Sequence, residues 1–189
     1  MLFVGGAPFR WIAGILGMGV AAGAAFAVLF PWRFRRISAF LDPWQDAQGI
    51  GYQPIEAQTA VATGGVTGTG LGQGRSKWGY LPEAQTDFIF SVIAEETGFV
   101  GALLLIALFI ALGVTGVRVA MRAPDRFGML LATGITTWFL AQAFFNIGQA
   151  VGALPVMGVP LPFVSFGGSS LVVGMVAAGM LLNVARQTR

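Results

Sequence analysis

Four apolar runs, each close to the length that crosses a bilayer, constrain this chain more than any other feature. A hydrocarbon core about 30 Å thick takes roughly 20 residues of helix. The first run spans residues 11–30 without a charge. The second is uncharged over 97–117 and extends back to Phe88; the third spans 127–151 and the fourth 163–184. Gly167, Gly168, Ser169 and Ser170 interrupt the start of the fourth. Hydrophobic residues make up 56% of the 189 positions and charged residues only 10%, against about 25% charged in soluble domains. So few charges cannot coat a water-soluble globule, whereas a bundle facing lipid needs no such coat. The expected fold class is therefore all-α: a polytopic membrane helix bundle of about four transmembrane helices (11–30, 88–117, 127–151, 163–184). It forms a single membrane domain over 1–189, with one long loop over 31–87.

The inventory of side chains excludes much chemistry. Without Cys or His there is no disulfide, no thiolate nucleophile, no imidazole base and no Cys/His metal site. Carboxylates, Arg, Lys, hydroxyls and backbone remain. The net charge of +3 does not point to nucleic acid, because the basic residues sit at the ends of apolar runs rather than in a soluble patch. The first apolar run is long enough to stay in the membrane, and no small-residue cleavage site follows it, so it reads as a retained helix.

The loop over 31–87 holds Arg33, Arg35, Arg36, Arg75 and Lys77 and five of the eight acids. Its stretch Gly64-Gly65-Val66-Thr67-Gly68-Thr69-Gly70-Leu71-Gly72-Gln73-Gly74 fits neither phosphate-loop spacing and reads as a tightly turning loop. With both termini in the cytoplasm, the inner side carries six basic residues and the outer side five. The short connection with Arg118, Arg122 and Arg126 weighs the balance toward a long loop that faces out. Gln142, Asn146 and Gln149 fall at i, i+4 and i+7 on the third helix, one polar stripe that must face the bundle interior or a cavity. Helix–helix hydrogen bonding and substrate contact are both open to it.

Most of the chemistry is concentrated in 77–98, where Glu83, Asp87 and the pair Glu95/Glu96 flank the mouth of a membrane helix. Ionisable groups there are expensive and often functional. Asp87 has two readings. As an N-terminal cap it would meet the positive end of the helix dipole, which depresses its pKa; as a base it would need burial or a nearby acid to offset that. Eight residues of helix separate Glu95 from Asp87 by about 12 Å of rise, so the two do not form a dyad. Glu95 and Glu96 read as anchors to neighbouring helices or to backbone donors.

The run Leu81-Pro82-Glu83-Ala84-Gln85-Thr86-Asp87-Phe88-Ile89-Phe90, with Glu95-Glu96-Thr97-Gly98 after it, closely resembles a signature of the SEDS family (shape, elongation, division and sporulation; the FtsW, RodA and SpoVE type). Three further stretches match in order. They are Arg33-Phe34-Arg35-Arg36 through Asp42-Pro43-Trp44, Asn146-Ile147-Gly148 with Gly152-Ala153-Leu154-Pro155, and Pro160-Leu161-Pro162-Phe163-Val164-Ser165-Phe166-Gly167-Gly168-Ser169-Ser170. Gln85 stands where the family usually has His, and Phe166 where it usually has Tyr. Ala84 leans toward the division type. The family has ten helices, and this chain resembles it from near the seventh onward, so a longer native protein is expected.

The resemblance implies a peptidoglycan glycosyltransferase that polymerises lipid II on the outer face of the bacterial cytoplasmic membrane during cell division. Asp87 would be the catalytic carboxylate that takes the proton from the acceptor hydroxyl. Lys77, Arg75 and Arg36, with Glu83, Ser165 and Ser169, are the candidates for substrate and pyrophosphate binding. Gln142, Asn146, Glu95 and Glu96 would be structural or cavity-lining polar groups. A divalent cation (Mg or Mn) is the one cofactor implied, its ligands unassigned. The implied partners are lipid II, a class B penicillin-binding protein, other divisome membrane proteins and membrane lipids, with no nucleic acid. Lipid II transport without chemistry, and a non-catalytic scaffold piece, are the alternative readings.

Overall fold

A computed structural model describes residues 5–6, 8–29 and 40–187. The chain is helical, with five helices among the described residues: α1 Phe9–Leu29, α2 Tyr52–Gly64, α3 Ile89–Arg122, α4 Arg126–Ala150 and α5 Gly168–Gln187. Of these, α3, α4 and α5 are long and apolar enough to cross a bilayer. α1 is a 21-residue apolar helix whose described side chains, among them Trp11, Leu16, Met18 and Val20, are exposed.

Local chemistry sets the boundaries. The three-residue connection after α3 ends on Asp125, whose carboxylate accepts from the Gly128 amide at 3.1 Å and so caps α4. That short turn makes α3 and α4 an antiparallel hairpin, the most extensive packing among the described elements. Gly116 is packed so closely on the Thr136 hydroxyl that a Cβ there would collide with it. α5 closes the same end, where Val184 packs with Ala120 and Ala132. The Arg126 guanidinium donates to the Gly5 carbonyl at 2.7 Å, which brings the start of α1 to that end as well. Arg118, Arg122, Arg126 and Arg186 thus gather at one end of the bundle, and α2 with Asp87 lies at the other.

Several expected boundaries are corrected. The segment over 31–87 is not all loop, because it contains α2, which lies against α3. The fourth apolar run becomes helix only at Gly168, not at 163: Leu161 to Phe166 form turns, with the Val164 and Ser165 amides donating to Leu161 O and Phe163 at φ +64°. α3 runs from Ile89 to Arg122, 34 residues or about 50 Å, too long for the bilayer core. It is divided at Gly98, whose backbone (φ 69°, ψ −167°) is non-helical.

The Gly-rich stretch satisfies the backbone groups that this break frees. Thr69 N and Gly70 N donate to Glu95 O and Glu96 O at 2.9 and 3.1 Å, while Phe99 N and Val100 N donate to Gly65 O and Val66 O at 2.9 and 3.3 Å. A Cβ at Gly98 would collide with Gly68 N and Val66 O, and one at Gly68 with Glu96 O. Only glycine permits this backbone-to-backbone approach together with a positive φ. Unpaired backbone groups at membrane depth cost several kcal/mol, so the loop docks where the helix needs partners.

Candidate active site at the mouth of α3

Asp87 lies two residues before α3, on a segment seated by buried apolar side chains. Leu81, Ala84, Phe88 and Val92 pack with Ala57 of α2. The helix cap is Phe88, with no side-chain capping bond, so of the two readings of Asp87 the cap is not realised. Its pKa is raised, not depressed. Burial is the larger cause and the negative charge of Glu83 the second. Among the described residues the Asp87 carboxylate has no hydrogen-bond or salt-bridge partner, and Gly158 covers it: a Cβ at 158 would lie 3.3 Å from Oδ2. A half-buried carboxylate with a raised pKa and no internal partner is poised to accept a proton.

The backbone around this free carboxylate is held firmly. Three consecutive carbonyls are gripped from other elements. Gln85 O accepts from Phe166 N at 2.8 Å. Thr86 O accepts from the Ser165 hydroxyl at 2.6 Å, which itself accepts from Leu161 N at 2.7 Å. Asp87 O accepts from two side-chain amides of α4, Asn146 Nδ2 at 2.8 Å and Gln149 Nε2 at 2.7 Å. Asn146 Nδ2 also donates to Val159 O at 2.8 Å, and Gln149 Oε1 accepts from Met157 N at 2.9 Å. Both partners of Asn146 Nδ2 are carbonyl oxygens, so only the amide nitrogen can face them. Glu83 adds a turn beneath: at φ +54° it is left-handed, its carbonyl accepts from Asp87 N at 3.0 Å, and its carboxylate accepts from the Thr86 hydroxyl at 2.9 Å. A non-glycine residue held in that region stores strain that the surrounding structure must over-determine.

The remaining candidates divide into separate groups. Glu95, buried, accepts from Arg75 N at 2.9 Å and Ser76 N at 3.2 Å. Glu96 accepts from Gly72 N at 3.0 Å and pairs with Lys77 at 2.6 Å. The two acids thus latch the Gly-rich loop and lie apart from Asp87. Lys77, tied to Glu96, still lines a cavity of about 340 Å³ with Glu83, Thr86 and Phe166. The Arg75 side chain is exposed, and Arg36 lies outside the described residues. Gln142 leaves the stripe and meets Ser169 in a second cavity, about 270 Å³, with Trp138 and Phe163. Among the described residues no group of three or more carboxylates gathers to cage a metal ion. Sequence reasoning missed the grip on Gln85 O and Thr86 O and the cover by Gly158. The polar stripe and the 160–170 stretch with Ser165 were the sequence signals for it.

Comparison with known proteins shows the family. The FtsW/RodA/SpoVE family profile, described as a cell cycle protein, matches residues 1–189. The chain is 44% identical over 189 residues to stage V sporulation protein E of Bacillus subtilis, covering all of this chain and 52% of that protein. It is 46% identical over 192 residues to a probable peptidoglycan glycosyltransferase FtsW of Geobacter sp., covering 52% of it. A chain of a solved peptidoglycan synthase complex that coordinates polymerization and crosslinking superposes with a TM-score of 0.78 at 31% identity, over 99% of this chain and 52% of that one. The chain therefore spans about half the length of the relatives it matches. With its apolar helices, its motif at the mouth of α3 and a family match from end to end, this multi-pass membrane chain belongs to the FtsW/RodA/SpoVE family.

Proposed function

We propose that this chain supplies the catalytic half of a peptidoglycan glycosyltransferase of the division type, with Asp87 as general base. One observation carries the reading: the Asp87 carboxylate is free and raised in pKa while its own carbonyl is clamped by two amides. A base needs a fixed position and an unoccupied lone pair. The Asp87 carboxylate takes the proton of the acceptor sugar's 4-hydroxyl as that oxygen attacks the anomeric carbon of the donor lipid II. The bond from that carbon to the lipid pyrophosphate breaks, and the pyrophosphate leaves with the bonding pair. General-base help of this kind is worth about 10²–10⁴-fold.

The leaving group needs cations. Lys77, at the rim of the cavity that also holds Glu83 and Thr86, is the described side chain best placed for this, and Arg75 is exposed nearby in sequence. Glu83, on the wall of that cavity, is the carboxylate that would meet a divalent cation carried by the pyrophosphate, which leaves Asp87 free to act as base. The positive-inside rule supports an orientation in which the end with Arg118, Arg122, Arg126 and Arg186 faces the cytoplasm and the Asp87 end faces out. A class B penicillin-binding protein is the expected partner, in keeping with the synthase complex to which the chain is similar.

The test uses the full-length protein in proteoliposomes with labelled lipid II. Asp87→Ala should abolish glycan product while the protein still inserts and folds; undiminished polymerisation would reject Asp87 as the base. Movement of labelled lipid across the bilayer without any glycan product would favour transport instead.

A further inference from the structure

Beside the 81–87 segment, with Pro82 on its wall, lies a cleft of about 310 Å³ between α2, the turn before it and the loop after α4. We propose that this cleft is a subsite for an uncharged N-acetylated sugar of the glycan strand, an inference that rests on the glycosyltransferase reading and adds to it. Among the described residues no Asp, Glu, Lys or Arg lines the cleft, which is unusual at an end of the molecule that holds most of the acids. An anionic pyrophosphate or a peptide carboxylate would find no cation among these described lining residues, and a lipid tail would be matched to a wholly apolar wall.

The wall is amphiphilic instead. Gln53 and Gln58 of α2 and Gln48 before it line the cleft, and none of the three side-chain amides holds a hydrogen bond among the described residues. Each amide can donate twice and accept, the pattern that hydroxyl and acetamido groups require. The Tyr52 ring, with Pro82 and Pro155, supplies flat apolar surface. The Tyr52 hydroxyl donates to Tyr80 O at 2.7 Å, which fixes the ring and leaves its oxygen able to accept. Gly152, at φ +74°, is packed so closely on the Gln58 amide that a Cβ would collide with it, so that amide is held against the loop.

The position suits a glycan. Pro82 belongs to the segment that carries Asp87, and Val156, also on the cleft wall, packs against the cluster that contains Phe88. The loop over 152–158 therefore borders the cleft at one end and covers the Asp87 carboxylate at the other. Its volume falls at the lower end of the range for small-molecule pockets, room for about one sugar ring. The charged cavity would face the pyrophosphate and the neutral cleft the sugar, with the 81–87 segment contributing to the walls of both.

The test measures binding of tri-N-acetylchitotriose, which carries neither lipid nor pyrophosphate, to the full-length protein in nanodiscs by saturation-transfer NMR. Wild type should bind. Gln53→Ala/Gln58→Ala should bind about tenfold more weakly, since two hydrogen bonds are lost, and should raise the KM for lipid II while leaving the melting temperature unchanged. If that variant misfolds, Gln58→Glu, which keeps the shape and adds a charge, should weaken binding in its place. Undetectable binding to wild type, or equal affinity in the folded variants, would overturn the subsite. Asp87→Asn separates the two readings. It should bind the trisaccharide like wild type and make no polymer; polymer from Asp87→Asn would defeat the base assignment and leave the binding result to judge the cleft alone.

Discussion

Removing the two amides that hold Asp87 O should separate the stability of the site from its chemistry. Asn146→Leu deletes two hydrogen bonds, to Asp87 O and Val159 O. It also removes a buried Oδ1 that has no partner among the described residues. Two hydrogen bonds are worth about 1–3 kcal/mol net, and an unsatisfied buried acceptor costs about 1–3 kcal/mol, so the two effects largely cancel and the stability loss should be about 0–2 kcal/mol. Gln149→Leu deletes the bonds to Asp87 O and from Met157 N with no such relief, and should cost about 1–3 kcal/mol. The activity order differs. Either single variant leaves one donor on Asp87 O, so kcat should fall less than about tenfold. The double variant frees that carbonyl, and a misplacement of about 1 Å can cost about 10²-fold. A double-mutant cycle on kcat, KM and melting temperature reads all three quantities. Coupled loss in kcat with KM little changed supports positioning of the base. Strictly additive losses in kcat, or a double variant as active as the singles, would refute it.

Two further outcomes follow. Gly98→Ala places a Cβ against Gly68 N and Val66 O in a left-handed conformation; it should destabilise the protein by more than about 2 kcal/mol and expose the Gly-rich loop to protease, which limited proteolysis checks. Asp87→Asn should not lower the melting temperature at pH 7. The folded pKa of Asp87 is raised, so the folded state binds the proton more tightly than the unfolded state. The penalty for ionising Asp87 therefore grows as pH rises from the unfolded pKa through the folded one and persists above it. Equal melting curves at low pH, with the Asn variant equal or higher at pH 7, are expected.

The membrane helices were legible because a run without charges has one main use at that length. α2 was not, since Tyr52–Gly64 mixes Ala, Thr, Gln and Glu with no strong apolar period, and its stability comes from Ala57 and Val61 packing on α3. The Gly98 break was equally hidden. Thr97-Gly98 opens an uncharged apolar run, and the partners that make a break tolerable are backbone groups of the distant Gly-rich stretch. Asp87 was singled out by its place in a motif, but its electrostatics stayed open between a cap and a base. The sequence offers a helix terminus and its dipole, whereas the structure adds burial, the Glu83 charge and a cap at Phe88 instead. The stripe of amides on α4 was seen, yet its target, a main-chain carbonyl, has no signature in any residue type.

The most direct test of Asp87 as the proton acceptor is the pH dependence of kcat/KM for lipid II polymerisation by the full-length protein, wild type against Glu83→Gln. Activity should fall as pH drops through the pKa of Asp87, because the protonated carboxyl cannot accept. Loss of the Glu83 charge removes one of the two causes that raise that pKa, so the acid limb should move to lower pH in Glu83→Gln. An acid limb that stays in place, or moves to higher pH, would contradict Asp87 as the base.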